Sequence, residues 1–293
     1  MDSSLSRTYK AAFFESKGQD LILKDVELRH PGPGYVLMKV IACGVCHTDL
    51  FVQQGLLGDL FPRVPGHEVV GDVVAVGEGV SRVKIGDRIG AAWHGGYDGA
   101  CHSCQRGLFQ LCSNAAVNGV LMDATADLAE VAPLLCAGVT VFNAMRNMGV
   151  VQGGLVAVQG LGGLGHLALQ YALKMGYIVV ALSSGSEKKD FAMKLGAYYY
   201  IDTSAENAAE ALQKLNGADM IVSTAPNAKV VSPLIAGLAP LGKLVQDSED
   251  AIAFAHRHGV RCIVEKFPFR TKLQEGFEAT KSGKVRFRSV FTL

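Results

Sequence analysis

Hydrophobic positions in the first part of the chain come in short runs. Up to about residue 122, stretches such as YVLMKVIACGV, VVGDVVAVG and DRIGAAW are divided by turns rich in Gly and Pro. Short β-branched runs between turn residues are typical of strands. This pattern predicts a β-rich, partly open barrel.

From Leu134 onwards the pattern changes to apolar strands that alternate with amphipathic helices. Helices are predicted over APLLCAGVTVFNAMRN, GLGHLALQYALKMG, SEKKDFAMKLG, AENAAEALQKLNG and VSPLIAGLAP, with strands GLVAVQG, YIVVALS, YYYID, ADMIVSTA and GKLVQ between them. Such alternation predicts a parallel, doubly wound sheet, so the fold class is α/β. We expect a first domain over residues 1–137, a second over 138–247, and a return of residues 248–293 to the first.

Composition narrows the class of protein. Hydrophobic residues make up 49% of the 293, and the net charge is +1, so there is no electrostatic reason to expect nucleic acid or a membrane as partner. The N-terminus lacks the apolar segment of a signal peptide, and no apolar run is long enough to span a bilayer. Seven cysteines without a secretory signal indicate a reducing, cytoplasmic location.

The segment VAVQGLGGLGHLALQYA carries a dinucleotide-binding pattern. Gly160, Gly162 and Gly165 form G-x-G-x-x-G between an apolar strand and an apolar helix. In that context the first glycine makes the turn, the second admits a pyrophosphate and the third lets helix and strand approach. The alternative is a plain strand–turn–helix junction.

Three residues far apart in sequence could form a metal site. Cys46, His67 and Cys136 are a donor set that suits zinc, and three protein ligands leave one position open. Each has another interpretation: Cys136 as a core residue, His67 as a loop histidine, and Cys46 with Cys43 as a redox pair.

The motifs CGVCHTD, PGHEVVGDVVAVGEGV, GDRIG, LLCAGVTV and GLGGLGHLALQYA together resemble the zinc-dependent alcohol dehydrogenases of the medium-chain dehydrogenase/reductase superfamily. The resemblance covers nearly the whole chain. It implies a GroES-like catalytic barrel joined to a Rossmann domain. It also implies hydride transfer between NAD(P) and a small alcohol, aldehyde or ketone. The sequence does not identify that substrate.

The resemblance also assigns roles to residues. Cys46, His67 and Cys136 match the catalytic zinc ligands, Glu68 matches a transient ligand, and Asp49 matches the acceptor that orients His67. Thr48 matches the group that hydrogen-bonds the reacting oxygen. Further matches are with pyrophosphate contacts (His47, Arg288), nicotinamide neighbours (Thr140, Leu164), the glycine turn including Gly163, and the substrate pocket (Trp93). Phe51 departs from the family, because many members have a proton-accepting histidine there.

A second zinc site is predicted from the segment DGACHSCQRGLFQLC. The family uses four cysteines spaced C-x2-C-x2-C-x7-C, and this chain has Cys101, Cys104 and Cys112 at the last three positions, with Asp98 at the first. A carboxylate is a competent zinc ligand, so we expect a closed, structural site and two zinc ions per subunit. The alternative is that Asp98 is a turn residue and the lobe lacks a complete site.

The end of the strand YIVVALS bears on cofactor choice. Where NAD-specific sites place a carboxylate, this chain has Ser183 and Ser184, followed by Lys188 and Lys189. Small hydroxyls and cations would accept a 2′-phosphate, so NADP is predicted over NAD. Glu187 is expected in the first turn of the next helix, as a cap.

Two family segments are absent, one after Met122 and one after Gln246. The second gap predicts a Rossmann sheet of five strands that lacks its last strand. It would also remove the segment through which family members form homodimers, so we expect weak dimerisation or none. Poor folding and low activity follow as an expectation. An inactive nucleotide-binding relative is therefore the alternative function, and a zinc-free quinone or enoyl reductase is disfavoured by the retained ligands.

Overall fold

The structure of the chain is a computed structural model that describes residues 7–56, 61–93, 95–108, 112–113, 120–121, 128–224, 228–245 and 260–293. The chain divides into two compact units, Met1–Cys136 with Ile263–Leu293, and Ala137–Cys262. The first boundary falls one residue before the expected 137/138 division. The boundary expected between residues 247 and 248 lies outside the described residues.

The described elements are these. The strands are β1 (Thr8–Phe13), β2 (Ile22–Glu27), β3 (Val36–Gly44), β4 (Val69–Val76), β5 (Arg88–Ala91), β6 (Val120–Leu121), β7 (Leu155–Gln159), β8 (Ile178–Ser183), β9 (Tyr199–Asp202), β10 (Ala218–Ser223), β11 (Leu238–Val245), β12 (Glu265–Pro268) and β13 (Ser289–Thr292). The helices are α1 (His47–Gln53), α2 (His102–Gln105), α3 (Leu128–Val131), α4 (Ala137–Arg146), α5 (Gly165–Lys174), α6 (Lys189–Lys194), α7 (Ala208–Lys214), α8 (Ala228–Val231) and α9 (Leu273–Lys281).

The first unit is built on a six-stranded sheet in the order β12-β13-β3-β4-β5-β6, with β1 and β2 forming a separate antiparallel pair. Only β12 and β13 are parallel; the other ladders of this sheet are antiparallel. Apolar residues of β1, α1, β12, α9 and β13 share one core, in which Phe14 and Phe277 meet edge to face at 5.4 Å. This sheet is the β-rich part of the chain that the short apolar runs predict.

The second unit is a parallel sheet in the order β11-β10-β7-β8-β9. Within the described residues it has five strands, the number predicted for a Rossmann domain that lacks its last one. The order of the strands reverses at β7, because β8 and β9 follow on one side of it and β10 and β11 on the other. Ligands of doubly wound sheets bind at the carboxyl ends of the strands at such a reversal. The turn after β7 therefore stands where a dinucleotide would bind.

The single helix predicted over APLLCAGVTVFNAMRN is wrong. Residues Ala132–Leu135 form a 3-10 turn with Pro133 in its first turn, and α4 begins only at Ala137. Cys136 between them has φ −124° and ψ −72°, outside helical geometry. The break lets Cys136 leave the line of the helix and join the residues described below.

The other predicted boundaries shift for local reasons. Helix α7 begins three residues later than predicted, because the Asn207 side chain accepts hydrogen bonds from Ala209 N and Glu210 N. Part of the predicted helix VSPLIAGLAP is instead the start of β11, with Ser232–Gly237 forming a 3-10 turn. Pro240 is tolerated in β11 because that strand lies at the edge of the sheet.

Within the described residues, no single helix is both long and apolar enough to cross a membrane. The adjoining segments Leu128–Leu135 and Ala137–Arg146 meet that test only when they are taken together across their break.

Candidate metal centres and nucleotide-binding turn

The structure brings together four potential metal ligands from three parts of the first unit. Cys46 is the N-cap of α1, His67 and Glu68 precede β4, and Cys136 lies in the break before α4. One ligand atom from each lies within 4.8 Å of those of the others. Cys46, His67 and Glu68 are buried and Cys136 is half-buried. These are the residues to which the family resemblance assigns the catalytic zinc.

The electrostatics of this cluster favour a cation. The sulfurs of Cys46 and Cys136 lie 3.7 Å apart. The hydrogen bond between the two thiols holds the pKa of Cys46 well below its usual value and raises the pKa of Cys136 well above it. Burial alone would lower the pKa of His67, but hydrogen bonds to Asp49 and Cys46 raise it to about 10. The lowered pKa of Cys46 favours a thiolate there, and the thiolate is the form of cysteine that binds a metal ion.

Asp49 orients this cluster, as the resemblance implies. Its Oδ1 lies 3.4 Å from Nδ1 of His67 and accepts a hydrogen bond from Gly66 N at 3.0 Å. Its Oδ2 accepts from Cys46 N at 2.8 Å. One buried carboxylate therefore fixes the imidazole of one candidate ligand and the backbone of another, as carboxylates behind metal-bound histidines do.

Glu68 is fully buried behind the sulfurs. Neither of its carboxylate oxygens accepts a hydrogen bond, and Oε1 lies 3.1 Å from Nη2 of Arg288. Burial, as the largest influence, raises the pKa of Glu68 to about 8 despite the opposing charge of Arg288. A buried carboxyl group with no hydrogen-bond donor can turn towards a neighbouring cation.

Arg288 is buried beside Glu68, with only 4% of its surface exposed. Its Nη1 donates to the Val45 carbonyl at 3.3 Å. The contacts seen for its guanidinium are thus with the metal cluster of its own unit, and its predicted contact with a pyrophosphate stays a prediction.

The donor set fits a zinc ion. Two thiols and an imidazole converge with Asp49 behind the imidazole, and Glu68 adds an oxygen donor without hydrogen bonds. Two sulfurs and one nitrogen are a ligand set of catalytic zinc sites, in which the fourth position stays open for water or substrate. Cys43 lies outside this group of converging ligand atoms, and its thiol donates instead to the Gly44 carbonyl at 3.5 Å. The redox interpretation of C-x-x-C therefore has no support in the geometry.

Side chains around the cluster match several other predicted positions. Thr48 Oγ1 lies 3.6 Å from Cys46 Sγ. Trp93 meets the His67 ring edge to face at 5.4 Å and is partly exposed. His47 is exposed on α1, one turn from Phe51, and the two rings make an edge contact at 5.5 Å. Phe51 offers no proton acceptor at that place.

The second predicted centre is also assembled. Ligand atoms of Asp98, Cys101, Cys104 and Cys112 lie within 4.8 Å of one another. Asp98 Oδ1 accepts from Ala100 N at 2.8 Å and Cys101 N at 3.0 Å. The two interpretations of Asp98 are thus compatible, since one carboxylate forms the turn and also faces the sulfurs. Backbone hydrogen bonds lower the pKa of Cys101 to about 6, which favours a thiolate there.

The glycine pattern forms the turn between β7 and α5. Gly160 has φ +90°, a conformation that other residues adopt rarely. A β-carbon on Gly165 would lie 1.7 Å from the Gly160 carbonyl oxygen, so only glycine allows the helix to start this close to the strand. A β-carbon on Gly162 would meet nothing within 4 Å. The turn therefore has the tight bend, the close packing and the open space that a pyrophosphate needs.

Two residues outside the glycine pattern hold this turn in place. Thr224, at the end of β10, donates its hydroxyl to the carbonyls of Gln159 and Gly160. His166 is fully buried, and its Nδ1 lies 3.1 Å from the Gly162 carbonyl. Neither residue was predicted from the sequence. The signal for Thr224 was its position at the carboxyl end of the strand beside β7.

The predicted cofactor-selecting segment follows β8. Ser183 is buried and Ser184 is exposed, and Lys188 Nζ lies 3.5 Å from the Leu161 carbonyl of the glycine turn. Thr140 and Leu164, the predicted nicotinamide neighbours, are on α4 and at the N-cap of α5, and these two helices pack together. Gly163 precedes Leu164 in the same turn.

The expectation that Glu187 lies in the first helical turn is wrong. Helix α6 begins at Lys189, and the Glu187 carboxylate folds back to Gly185, where an added β-carbon would lie 2.3 Å from Oε2. Asp202 is a further residue of this segment that was not predicted from the sequence. It pairs with Ser183 across the sheet, and its Oδ1 accepts from Gly185 N at 2.8 Å. Hydrogen bonds from Ser204 and Gly185 hold the pKa of Asp202 below its usual value.

Comparison with known proteins agrees with this geometry. The family model for the alcohol dehydrogenase GroES-like domain matches residues 32–137, and that for the zinc-binding dehydrogenase domain matches residues 163–248. A solved cinnamyl alcohol dehydrogenase from Sorghum bicolor is 27% identical, with a TM-score of 0.85 over 97% of each chain.

Curated relatives extend the likeness along the chain. Alcohol dehydrogenase patD of Penicillium expansum is 49% identical over the whole of both chains, and an alcohol dehydrogenase of Geobacillus stearothermophilus is 34% identical over 97% of this chain and 99% of its own. The alignment with the Penicillium protein spans 341 positions, which exceeds the 293 residues of this chain by 48. The chain belongs to the zinc-type alcohol dehydrogenases of the medium-chain dehydrogenase/reductase superfamily, which are NAD(P)-dependent alcohol oxidoreductases.

Proposed function

We propose that this chain is a zinc-dependent alcohol dehydrogenase whose catalytic ion is held by Cys46, His67 and Cys136. The observation that carries the proposal is the buried cluster in which two cysteine sulfurs 3.7 Å apart share a site with an imidazole. When bound, zinc would act as a Lewis acid on an alcohol or carbonyl oxygen, and NAD(P) would exchange a hydride with the adjacent carbon.

The surrounding residues have separate tasks in this proposal. Asp49 keeps the His67 ring in one orientation, and Glu68, which accepts no hydrogen bond, is the transient fourth donor. The Thr48 hydroxyl, beside Cys46, hydrogen-bonds the reacting oxygen and moves its proton outward. Because Phe51 replaces a histidine, that proton passes to solvent. Trp93, edge-on to His67 and partly exposed, contacts the substrate.

The second centre has a structural task. Asp98, Cys101, Cys104 and Cys112 supply four donors, which leaves no position for a substrate. We therefore expect two zinc ions per subunit, of which only one takes part in catalysis.

The cofactor is proposed to bind at the turn formed by Gly160, Gly162 and Gly165, with the positive end of α5 facing its pyrophosphate. Ser183, Ser184 and Lys188 would surround the adenosine ribose, and the cation favours the 2′-phosphate of NADP over NAD. Glu187 reduces this preference, since its carboxylate approaches Gly185 in the same segment. The substrate is a small alcohol, aldehyde or ketone.

Removal and return of zinc tests this function. Protein treated with a chelator should lose aldehyde-dependent oxidation of NADPH and regain it when zinc is added. Activity that persists without zinc would indicate a zinc-free reductase of the superfamily. Zinc-loaded protein that binds NADPH but reduces no aldehyde or ketone in a broad panel would indicate an inactive relative.

A further inference from the structure

The segment between β8 and α6 is held from the neighbouring strand. Gly185, at its centre, has φ +79°, and both of its backbone polar groups are bonded to β9 side chains. Asp202 Oδ1 accepts from Gly185 N at 2.8 Å, and Tyr200 Oη donates to Gly185 O at 2.5 Å. We call Tyr200 and Asp202 the β9 anchor.

The anchor is itself fixed. Asp202 is in register with Ser183 in the parallel ladder between β8 and β9. The same Asp202 oxygen also accepts from Ser204 N at 2.9 Å and from Ser204 Oγ at 2.6 Å. Three donors on one carboxylate oxygen leave its side chain a single orientation, so the position of the Gly185 amide is set by β9.

The segment from Ser184 to Lys188 carries two of the side chains that the proposed function places beside the cofactor. Ser184 precedes Gly185, and Lys188 lies three residues after it and reaches the Leu161 carbonyl of the glycine turn. With Gly185 fixed, these two side chains are held at the carboxyl end of β8, where the adenosine ribose binds in doubly wound sheets. Ordering such groups before binding lowers the entropic cost of binding.

We propose that Tyr200 and Asp202 are positioning residues for the cofactor: they set the shape of the Ser184–Lys188 segment and so determine affinity for NADP. This inference rests on the proposed function, since it takes the same turn as the cofactor site. Neither residue takes part in hydride transfer. Their effect is therefore on the binding of the cofactor and not on the chemical step.

Two variants of the anchor have matched controls in the same unit. Tyr200→Phe removes the hydroxyl that reaches Gly185, and Tyr177→Phe removes a hydroxyl that reaches the Val150 carbonyl at 3.2 Å. Asp202→Ala removes the nearer acceptor of Gly185 N, which keeps Ser204 Oγ at 3.3 Å, and Asp219→Ala removes the acceptor of Leu155 N at 2.7 Å. The hydrogen bonds that the two control variants remove lie near the amino ends of β7, β8 and β10. They are therefore at the opposite end of the strands from the β9 anchor.

NADPH binding is measured by titration calorimetry on the zinc-loaded protein, and KM and kcat are measured with saturating aldehyde. We expect Tyr200→Phe and Asp202→Ala to raise both Kd and KM for NADPH by about tenfold, with kcat unchanged. Asp202→Asn keeps an acceptor for Gly185 N and should recover most of the affinity. The two control variants should bind NADPH like the wild type even where their melting temperatures fall.

Equal NADPH affinity in wild type, Tyr200→Phe and Asp202→Ala would overturn the inference, and so would a matching loss in the two controls. Failure of the proposed function would be seen differently, because the wild type would then bind no NADPH or reduce no carbonyl compound.

Discussion

The Glu68 carboxylate occupies the space that a side chain at Gly44 would need, because a β-carbon on Gly44 would lie 1.9 Å from Oε2 of Glu68. Strand β3 thus ends in a residue without a side chain so that a buried carboxylate can stand behind the sulfurs of Cys46 and Cys136. The glycine also keeps Glu68 within reach of Arg288. This relationship was not apparent in the sequence, where Gly44 is one of 34 glycines.

Gly44→Ala should displace Glu68 and destabilise the protein. Overpacking of a buried site costs roughly 1–3 kcal/mol, and the displaced carboxylate would also leave Arg288. The melting temperature of the zinc-loaded variant, compared with that of the wild type, measures this loss of stability. Gly32→Ala is the control, because a β-carbon there meets nothing within 4 Å. Equal melting temperatures for the two variants would mean that Glu68 does not need this space.

Asp49→Asn should weaken the binding of the catalytic zinc. The amide cannot accept hydrogen bonds at both ends as the carboxylate does from Cys46 N and Gly66 N, and the His67 ring loses its charged partner. Loss of such a group costs about 10–100-fold in metal affinity. Competition with a chromogenic chelator measures the change. Asp72→Asn, which alters a partly buried ion pair with Arg88 outside the metal cluster, should leave zinc affinity unchanged.

Asp98→Ala should lower the zinc content from two ions per subunit to one, and Asp98→Cys should restore two. The carboxylate is the fourth donor beside three cysteines, and three donors hold a structural zinc ion poorly. Elemental analysis after dialysis measures the content. Asp87→Ala removes a comparable turn hydrogen bond, from Lys84 N, and should keep both ions. A wild type with one zinc that Asp98→Ala leaves unchanged would contradict the proposal.

Ser183→Asp should shift cofactor preference from NADP towards NAD. The new carboxylate would stand at the end of β8, beside Asp202, and would repel a 2′-phosphate. The ratio of kcat/KM for the two cofactors, measured on each protein, reports the shift. A wild type that uses NAD as efficiently as NADP would contradict the predicted preference. An unchanged ratio in the variant would show that Ser183 does not face the ribose.

The protein is predicted to dimerise weakly or not at all. β11 is an edge strand among the described residues, and its Leu241 is 96% exposed. The resemblance places the dimer-forming segment of the family after Gln246 and implies that this chain lacks it. Light scattering at micromolar concentration should give the mass of one subunit. A stable dimer would show that another surface has replaced that segment.

The parts of the site that sequence could predict are those that a local pattern encodes. Gly160 and Gly165 are five residues apart between a strand and a helix, and steric limits on that one turn identify them. The cysteine spacing around Cys104 is likewise local. The alternation of strands and helices predicted the parallel sheet for the same reason.

What sequence could not predict depends on contacts between distant segments. Asp202 reaches Gly185 only because β8 and β9 pair in one particular register. The break at Cys136 is a second case: apolar periodicity continues through residues 132–146, but Pro133 favours a 3-10 turn, and the chain leaves helical geometry at Cys136. Propensity summed along the segment does not encode that interruption.

Zinc content and aldehyde reduction in two cysteine variants test the central claim most directly. Cys136→Ser should lower the zinc content by one ion per subunit and abolish aldehyde-dependent oxidation of NADPH. Cys262→Ser, a change at a buried cysteine outside both clusters, should retain both ions and the activity. Cys136→Ser protein that keeps its turnover, or that loses turnover with its zinc content unchanged, would contradict a catalytic zinc held by Cys46, His67 and Cys136.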